Sequence, residues 1–255
     1  MDLRVIGCHG GETPKHRTSA FLIDDDLTLD AGSLTSGLSL KAQCKLKACL
    51  ISHAHLDHIR DLATIADNRV QNNCPPLIVA GTKGTISVLK KHFFNNLLWP
   101  DFSNIPTPRN PTIRYVELRP EKAVEIAGRT VRAVLVDHTI ESAALIVESK
   151  EGAIAYSGDT GPTARIWELL NEVQDLRAML MEVSFPNSQQ KLATISGHHT
   201  PRTLGLEMKK YRRPKDLPTL LYHIKPTFQT VVERECASLR GMNLSVCRIG
   251  DHFVL

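Results

Sequence analysis

Seven consecutive residues constrain this chain more than any other feature. Ser52-His53-Ala54-His55-Leu56-Asp57-His58 sets three imidazoles and a carboxylate directly behind the apolar run Cys49-Leu50-Ile51. A lone histidine is usually a satisfied core or surface residue. Three of them with an aspartate in one short loop form a donor set, because neutral imidazole and carboxylate suit Zn²⁺, Mn²⁺ or Fe²⁺. In an extended loop, residues two apart point the same way, so His53 and His55 can grip one ion while Asp57 and His58 serve a second. One loop cannot close two coordination shells, so the fold must bring further donors to it.

The chain offers such donors in a repeated placement. The apolar run 131–136 ends in Asp137-His138, the run 153–156 ends in Ser157-Gly158-Asp159, and the run 220–222 ends in His223. Strands that share a sheet would gather these ends at one edge, where sites on layered α/β folds form. Elsewhere the pattern alternates short β runs (3–8, 20–23, 27–29, 47–52, 77–80, 113–118, 178–181) with amphipathic helices near 59–67, 82–94, 203–210 and 227–239 and one starting near Pro162. Hairpins are expected at Ala127-Gly128, at Lys150-Glu151-Gly152, and between 244–249 and 252–255. The Pro-rich stretch 105–111 reads as a surface connector. Strands dominate first and helices intervene later, which favours an α/β fold with two sheets and helices on their outer faces.

Length and composition set bounds on this reading. At about 150 residues per domain, 255 residues require no second domain, and residues 1–255 are read as one domain. A chain with 42% hydrophobic and 23% charged residues is not globally disordered. No stretch nears the roughly 18 apolar residues of a membrane span. The amino terminus runs straight into an apolar strand-like segment instead of a secretory signal, so a cytoplasmic location is expected. Six cysteines without a Cys-x-x-Cys pair are then read as reduced, mostly buried thiols. A net charge of +4 favours anionic partners only weakly.

The motifs together resemble the metallo-β-lactamase superfamily and, within it, the class II cyclic-nucleotide phosphodiesterase branch. The matching stretches are Gly7-Cys8-x-Gly10-Gly11, His53-x-His55-Leu56-Asp57-His58-Ile59, Phe94-Asn95-Asn96-Leu97-Leu98-Trp99-Pro100-Asp101-Phe102, Ser157-Gly158-Asp159-Thr160-Gly161-Pro162, Ser196-Gly197-His198 and His223-Ile224-Lys225-Pro226. The resemblance implies a four-layer αβ/βα sandwich with two divalent metal ions, Zn²⁺ first and Mn²⁺ or Fe²⁺ as alternatives. It assigns His53, His55 and His138 to one ion, Asp57, His58 and His223 to the other, and Asp159 as the bridge. Two positions depart from the branch: Asp61 and His9 stand where small residues are usual, near the implied mouth.

The implied activity is hydrolysis of 3′,5′-cyclic nucleotides, cyclic AMP foremost, to nucleoside monophosphates by a metal-activated hydroxide, with Asp57 among the catalytic groups. Glu182 and His198 match by motif the proton-delivery pair of ribonuclease Z enzymes; the bland reading is a carboxylate paired with a surface lysine and a histidine capping the next helix. Lys225, Trp99 and Thr160 are the substrate-binding candidates. The aromatic stretch 93–102 reads as a wall for a purine, a contact in a homodimer, or loop residues tucked against the core. Lys209-Lys210-Tyr211-Arg212-Arg213-Pro214-Lys215 reads as a solvated helix end or, less simply, a polyanion contact. An RNA-processing enzyme of the ribonuclease Z type, with RNA as partner, is the alternative, although no long basic arm for gripping tRNA is present. Thiolester or β-lactam hydrolysis ranks lower. A non-enzymatic binding module ranks last, because all seven ligand positions are filled.

Overall fold

The computed structural model describes residues 1–212 and 217–255. The chain runs through β1 (Asp2–Gly7), β2 (Ala20–Ile23), β3 (Leu27–Leu29), α1 (Leu40–Lys45), β4 (Ala48–Leu50), α2 (Leu56–Ile59), α3 (Leu62–Gln71), β5 (Leu77–Gly81) and α4 (Lys83–Val88). A ribbon of β6 (Pro106–Thr107) and β7 (Asn110–Pro111) precedes β8 (Ile113–Glu117), β9 (Val124–Ile126), β10 (Arg129–Val136), β11 (Ser142–Ser149) and β12 (Gly152–Tyr156). Then come α5 (Ala164–Glu172), β13 (Leu176–Glu182), α6 (Gln190–Ile195), α7 (Pro201–Glu207), β14 (Thr219–Tyr222), α8 (Gln229–Ala237), β15 (Leu244–Val246) and β16 (His252–Val254).

Two large mixed sheets result, ordered β16-β1-β2-β3-β4-β5-β8 and β15-β14-β13-β12-β11-β10-β9. The period-two alternation of apolar side chains decides their stacking. Leu27, Leu29, Ala48 and Leu50 of one sheet and Val131, Ala133, Leu145, Val147 and Leu180 of the other share the central core. Cys49 and Val79, on the opposite face of the first sheet, pack with Leu62, Ile65 and Leu89. Val134, Ile146 and Met181 pack with Trp167, Leu170, Leu204 and Val232 on the far side of the second. The order helix, sheet, sheet, helix is the expected αβ/βα sandwich. Among the described residues no helix is long and apolar enough to cross a membrane.

Several local expectations are corrected. The carboxy-terminal segments do not pair as a hairpin: β15 joins β14 in parallel, whereas β16 joins β1 antiparallel in the other sheet. Parting the last two strands pairs the outer backbone of β1 and of β14, and β16 and β15 become short edge strands in their place. The helix expected over 82–94 stops at Val88 and continues as a wider π turn, Leu89–Phe93. The helix expected over 59–67 breaks between α2 and α3, where the Asp61 amide donates to Ala31 O and its carboxylate accepts from Thr35. The connector read at 105–111 lies largely at the surface, with residues 106–111 folded into the small ribbon.

The cysteine reading is corrected in part. Cys44 and Cys74 form a disulfide with Cα atoms 5.2 Å apart, while Cys8, Cys49, Cys236 and Cys247 are free and buried. Thirty residues separate the pair in sequence, but the packing of α1 against α3 brings their ends together. The buried Arg69 side chain donates to Gln43 O and Pro75 O, neighbours of the two half-cystines. Sequence spacing carries no trace of that approach.

Candidate metal and catalytic centre

The loop after β4 and the first turn of α2 present His53, His55, Asp57 and His58. His138 follows β10, Asp159 follows β12 and His223 follows β14, so the four segments meet at one edge of the sandwich. His55 Nδ1 lies 3.0 Å from His53 Nε2 and 3.2 Å from His138 Nε2. His223 Nε2 lies 3.1 Å from Asp159 Oδ2, 3.3 Å from Asp57 Oδ2 and 3.3 Å from His58 Nε2. His58 Nε2 is 3.2 Å from the same Asp159 oxygen, which is 3.7 Å from His53 Nε2. Asp159 therefore stands between two donor groups.

Two features of this cluster fit divalent cations. For bonds of about 2.0–2.1 Å to nitrogen or oxygen, the edge of a coordination tetrahedron is about 3.3–3.4 Å, close to the donor spacings found here. Asp159 Oδ1 is buried with no hydrogen-bond partner, a costly arrangement for a carboxylate unless something positive faces it. The groups of the cluster also shift one another's protonation. Burial opposes protonation of His58, but the Asp159 and Asp30 carboxylates outweigh it and hold its pKa well above the usual value. Burial, reinforced by the neighbouring imidazoles, pushes His53 well below. Asp159 is likewise held well below the usual carboxylate range: burial works the other way, but His223 and His58 outweigh it.

A further layer fixes the imidazole orientations, and sequence reasoning missed most of it. Asp30, fully buried behind β3, accepts from His58 Nδ1 at 2.6 Å, Tyr156 Oη at 2.6 Å, Ser52 N at 2.7 Å and Ser52 Oγ at 2.8 Å. Ser52 Oγ in turn accepts from His53 Nδ1 at 3.0 Å. His138 Nδ1 donates to Gly197 O at 2.9 Å, and His223 Nδ1 to Ser184 Oγ at 2.9 Å. Four rings are thus tied through Nδ1 and present Nε2 to the centre, the arrangement that sets tautomer and basicity at metal sites. The signal for Asp30 was the one used for the histidines: it stands just after the apolar run Leu27-Thr28-Leu29. Backbone strain marks the same places, since Asp30 and His223 hold φ of 57° and 67°.

Glu182 ends β13, fully buried, and its Oε1 is 3.0 Å from His198 Nδ1. The Thr160 and His199 amides also donate to that oxygen, and Ser184 Oγ donates to Oε2 at 3.1 Å. Burial lowers the His198 pKa, but the Glu182 charge and hydrogen bond outweigh it and the net shift is upward. The His198 ring stacks on His223 at 5.3 Å and meets His138 edge-on at 5.1 Å. The bland reading of these two residues is set aside, because the His199 N–H points to Glu182 and Thr200 caps α7.

The substrate candidates fare differently. The Lys225 charge acts on both His198 and His223. Thr160 Oγ1 donates to Gly161 O, leaving its amide as the contact with the site. The Trp99 indole N–H donates to Ala63 O on α3. Phe93, Phe94 and Phe102 are buried in the outer core, whereas Leu97 and Leu98 face solvent. His9 is buried near Cys8, and burial together with the charge of His16 lowers its pKa to about 4. In the basic run, Lys210 pairs with Glu207 at 2.6 Å; residues 213–215 lie outside the described residues.

The family described as "Beta-lactamase superfamily domain" matches residues 33–224. A "Probable 3′,5′-cyclic-nucleotide phosphodiesterase" of Yersinia pestis is 28% identical, covering 90% of this chain and 79% of that protein. A "Ribonuclease Z" of Borrelia garinii subsp. bavariensis is 25% identical over 89% of this chain and 86% of that protein. The crystal structure of unliganded yeast PDE1 superposes with a TM-score of 0.83 at 21% identity, covering 98% of each chain.

Proposed function

Because the chain belongs to the β-lactamase superfamily, we propose that it is a dinuclear metal-dependent phosphodiesterase that opens 3′,5′-cyclic nucleotides, cyclic AMP foremost, to nucleoside monophosphates. The observation that carries this reading is a pair of donor groups meeting at Asp159 with a buried Glu182–His198 pair beside them. His53, His55 and His138 would hold one cation; Asp57, His58 and His223 the other; Asp159 both. Held there, divalent ions, with Zn²⁺ best matched to this donor set, supply Lewis acidity toward a phosphate oxygen and acidify water.

The chain's own residues supply the rest. Asp57 and Asp159 keep the centre anionic, so that it binds cations tightly and leaves room for one phosphodiester charge. Glu182 fixes the His198 ring through Nδ1 and keeps it protonated, leaving Nε2 to deliver a proton. As the bond from phosphorus to the 3′ oxygen breaks, that oxygen would otherwise leave as an alkoxide, and the proton from His198 Nε2 neutralises it. Lys225 adds positive potential beside His198 and His223, where a substrate phosphate oxygen would lie. Thr160 contributes through its amide, by holding Glu182.

The test is hydrolysis by metal-reconstituted protein of 3′,5′-cyclic AMP, 3′,5′-cyclic GMP, 2′,3′-cyclic nucleotides, bis(p-nitrophenyl) phosphate and a precursor tRNA. Opening of the 3′,5′-cyclic substrates is expected. The similarity to a ribonuclease Z over most of the chain makes RNA processing the second reading. Rapid cleavage of precursor tRNA with inert cyclic nucleotides would put that reading first.

A further inference from the structure

Three exposed aliphatic side chains stand on the loops that carry the imidazoles. Leu56, directly after His55, is 64% exposed; Ile140, two residues past His138, is 37% exposed; Ile195, at the end of α6 and just before Gly197-His198, is 78% exposed. Their loops are joined at the centre. Gly197 O accepts from His138 Nδ1 at 2.9 Å, and His138 Nε2 lies 3.2 Å from His55 Nδ1. Leu192, one turn earlier on α6, extends the apolar face. A single exposed leucine needs no explanation, but an exposed apolar side chain within two residues of a donor or of the glycine that holds one, on three separate segments joined at the centre, does.

We infer that Leu56, Ile140 and Ile195 form the nucleobase subsite, an inference that rests on the cyclic-nucleotide reading above. A base presents a flat, weakly hydrated face, and aliphatic carbon gains dispersion contact and sheds water against it. The same carbon carries no donor or acceptor, so this rim holds a base without reading its edge. Adenine and guanine therefore gain equally from it. Strong discrimination between bases would require paired polar groups, which these three side chains lack.

The test is calorimetric binding of 5′-AMP, 5′-GMP and ribose 5-phosphate to metal-loaded wild type, Ile140→Ser, Ile195→Ser and the double variant. Wild type should bind both nucleotides more tightly than ribose 5-phosphate. Each substitution should weaken both nucleotides about 3- to 10-fold, with ribose 5-phosphate unchanged as the control for an intact centre. Unchanged nucleotide affinity, or equal weakening of all three ligands, overturns the subsite. So does a wild-type dimer that the substitutions dissociate in light scattering, which would assign the rim to a second copy. If wild type opens cyclic nucleotides while AMP binding ignores the rim, only the subsite falls. If it neither opens them nor prefers AMP to ribose 5-phosphate, the phosphodiesterase reading falls with it.

Discussion

Asp30 illustrates how much of a donor centre resides in residues that would touch no ion. Its carboxylate takes hydrogen bonds from His58, Tyr156 and Ser52, and its charge makes the His58 ring a stronger donor at Nε2. Asp30→Asn keeps the shape and removes the charge, so affinity for the second cation should fall by about 10- to 100-fold, read by competition with a chromophoric chelator. His198 is expected to behave differently. His198→Ala should retain its metal content and lose about 10²- to 10⁴-fold in kcat on cyclic AMP. Bis(p-nitrophenyl) phosphate should be slowed far less, because nitrophenolate departs without a proton. Equal slowing of both substrates would remove His198 from the acid role.

At the scale of elements, the centre depends on how turns deliver strand ends. Gly197 holds a left-handed φ of 63°, and a Cβ there would sit 2.8 Å from His138 Cα and 3.0 Å from its Nδ1. Gly197→Ala should therefore displace the His138 ring, lowering metal occupancy measured by elemental analysis while the far-ultraviolet circular dichroism stays native. A second device ties the two sheets together. Arg129, at the start of β10, reaches Asp24 at 2.8 Å and Asp26 at 2.9 Å in the turn between β2 and β3. Burial raises the Asp24 pKa, but hydrogen bonds from Arg129 and the Asp2 amide outweigh it and the net shift is downward. A lowered carboxylate pKa contributes stability that is present above the unfolded value of about 3.9 and is lost as pH falls through the folded one. Arg129→Met, which removes two partly solvent-screened ion pairs, should cost about 1 kcal/mol at pH 7. The gap from wild type should narrow below about pH 4, as urea midpoints at pH 7 and pH 3 would show.

Across the whole molecule, the donors come from both sheets: the loop after β4 belongs to one, and His138, Asp159 and His223 to the other. Cations that bind there link the two halves, so loading the chelator-stripped protein with Zn²⁺ should raise its melting temperature by about 5–10 °C, with saturation at two ions per chain. The layered fold was legible in the sequence because sheet alternation and short apolar runs are local signals. So was the set of candidate donors, because each stands just past such a run. What no local pattern encodes is which distant segments touch. The Cys44–Cys74 bond, the parting of β15 and β16 to opposite sheets, the four hydrogen bonds gathered by Asp30 and the approach of Gly197 to His138 all depend on packing between segments far apart in sequence. Residue type decides what chemistry a position can offer. Only the close packing of two sheets decides which positions offer it together, because distances of about 3 Å between donors are set by the backbones that carry them.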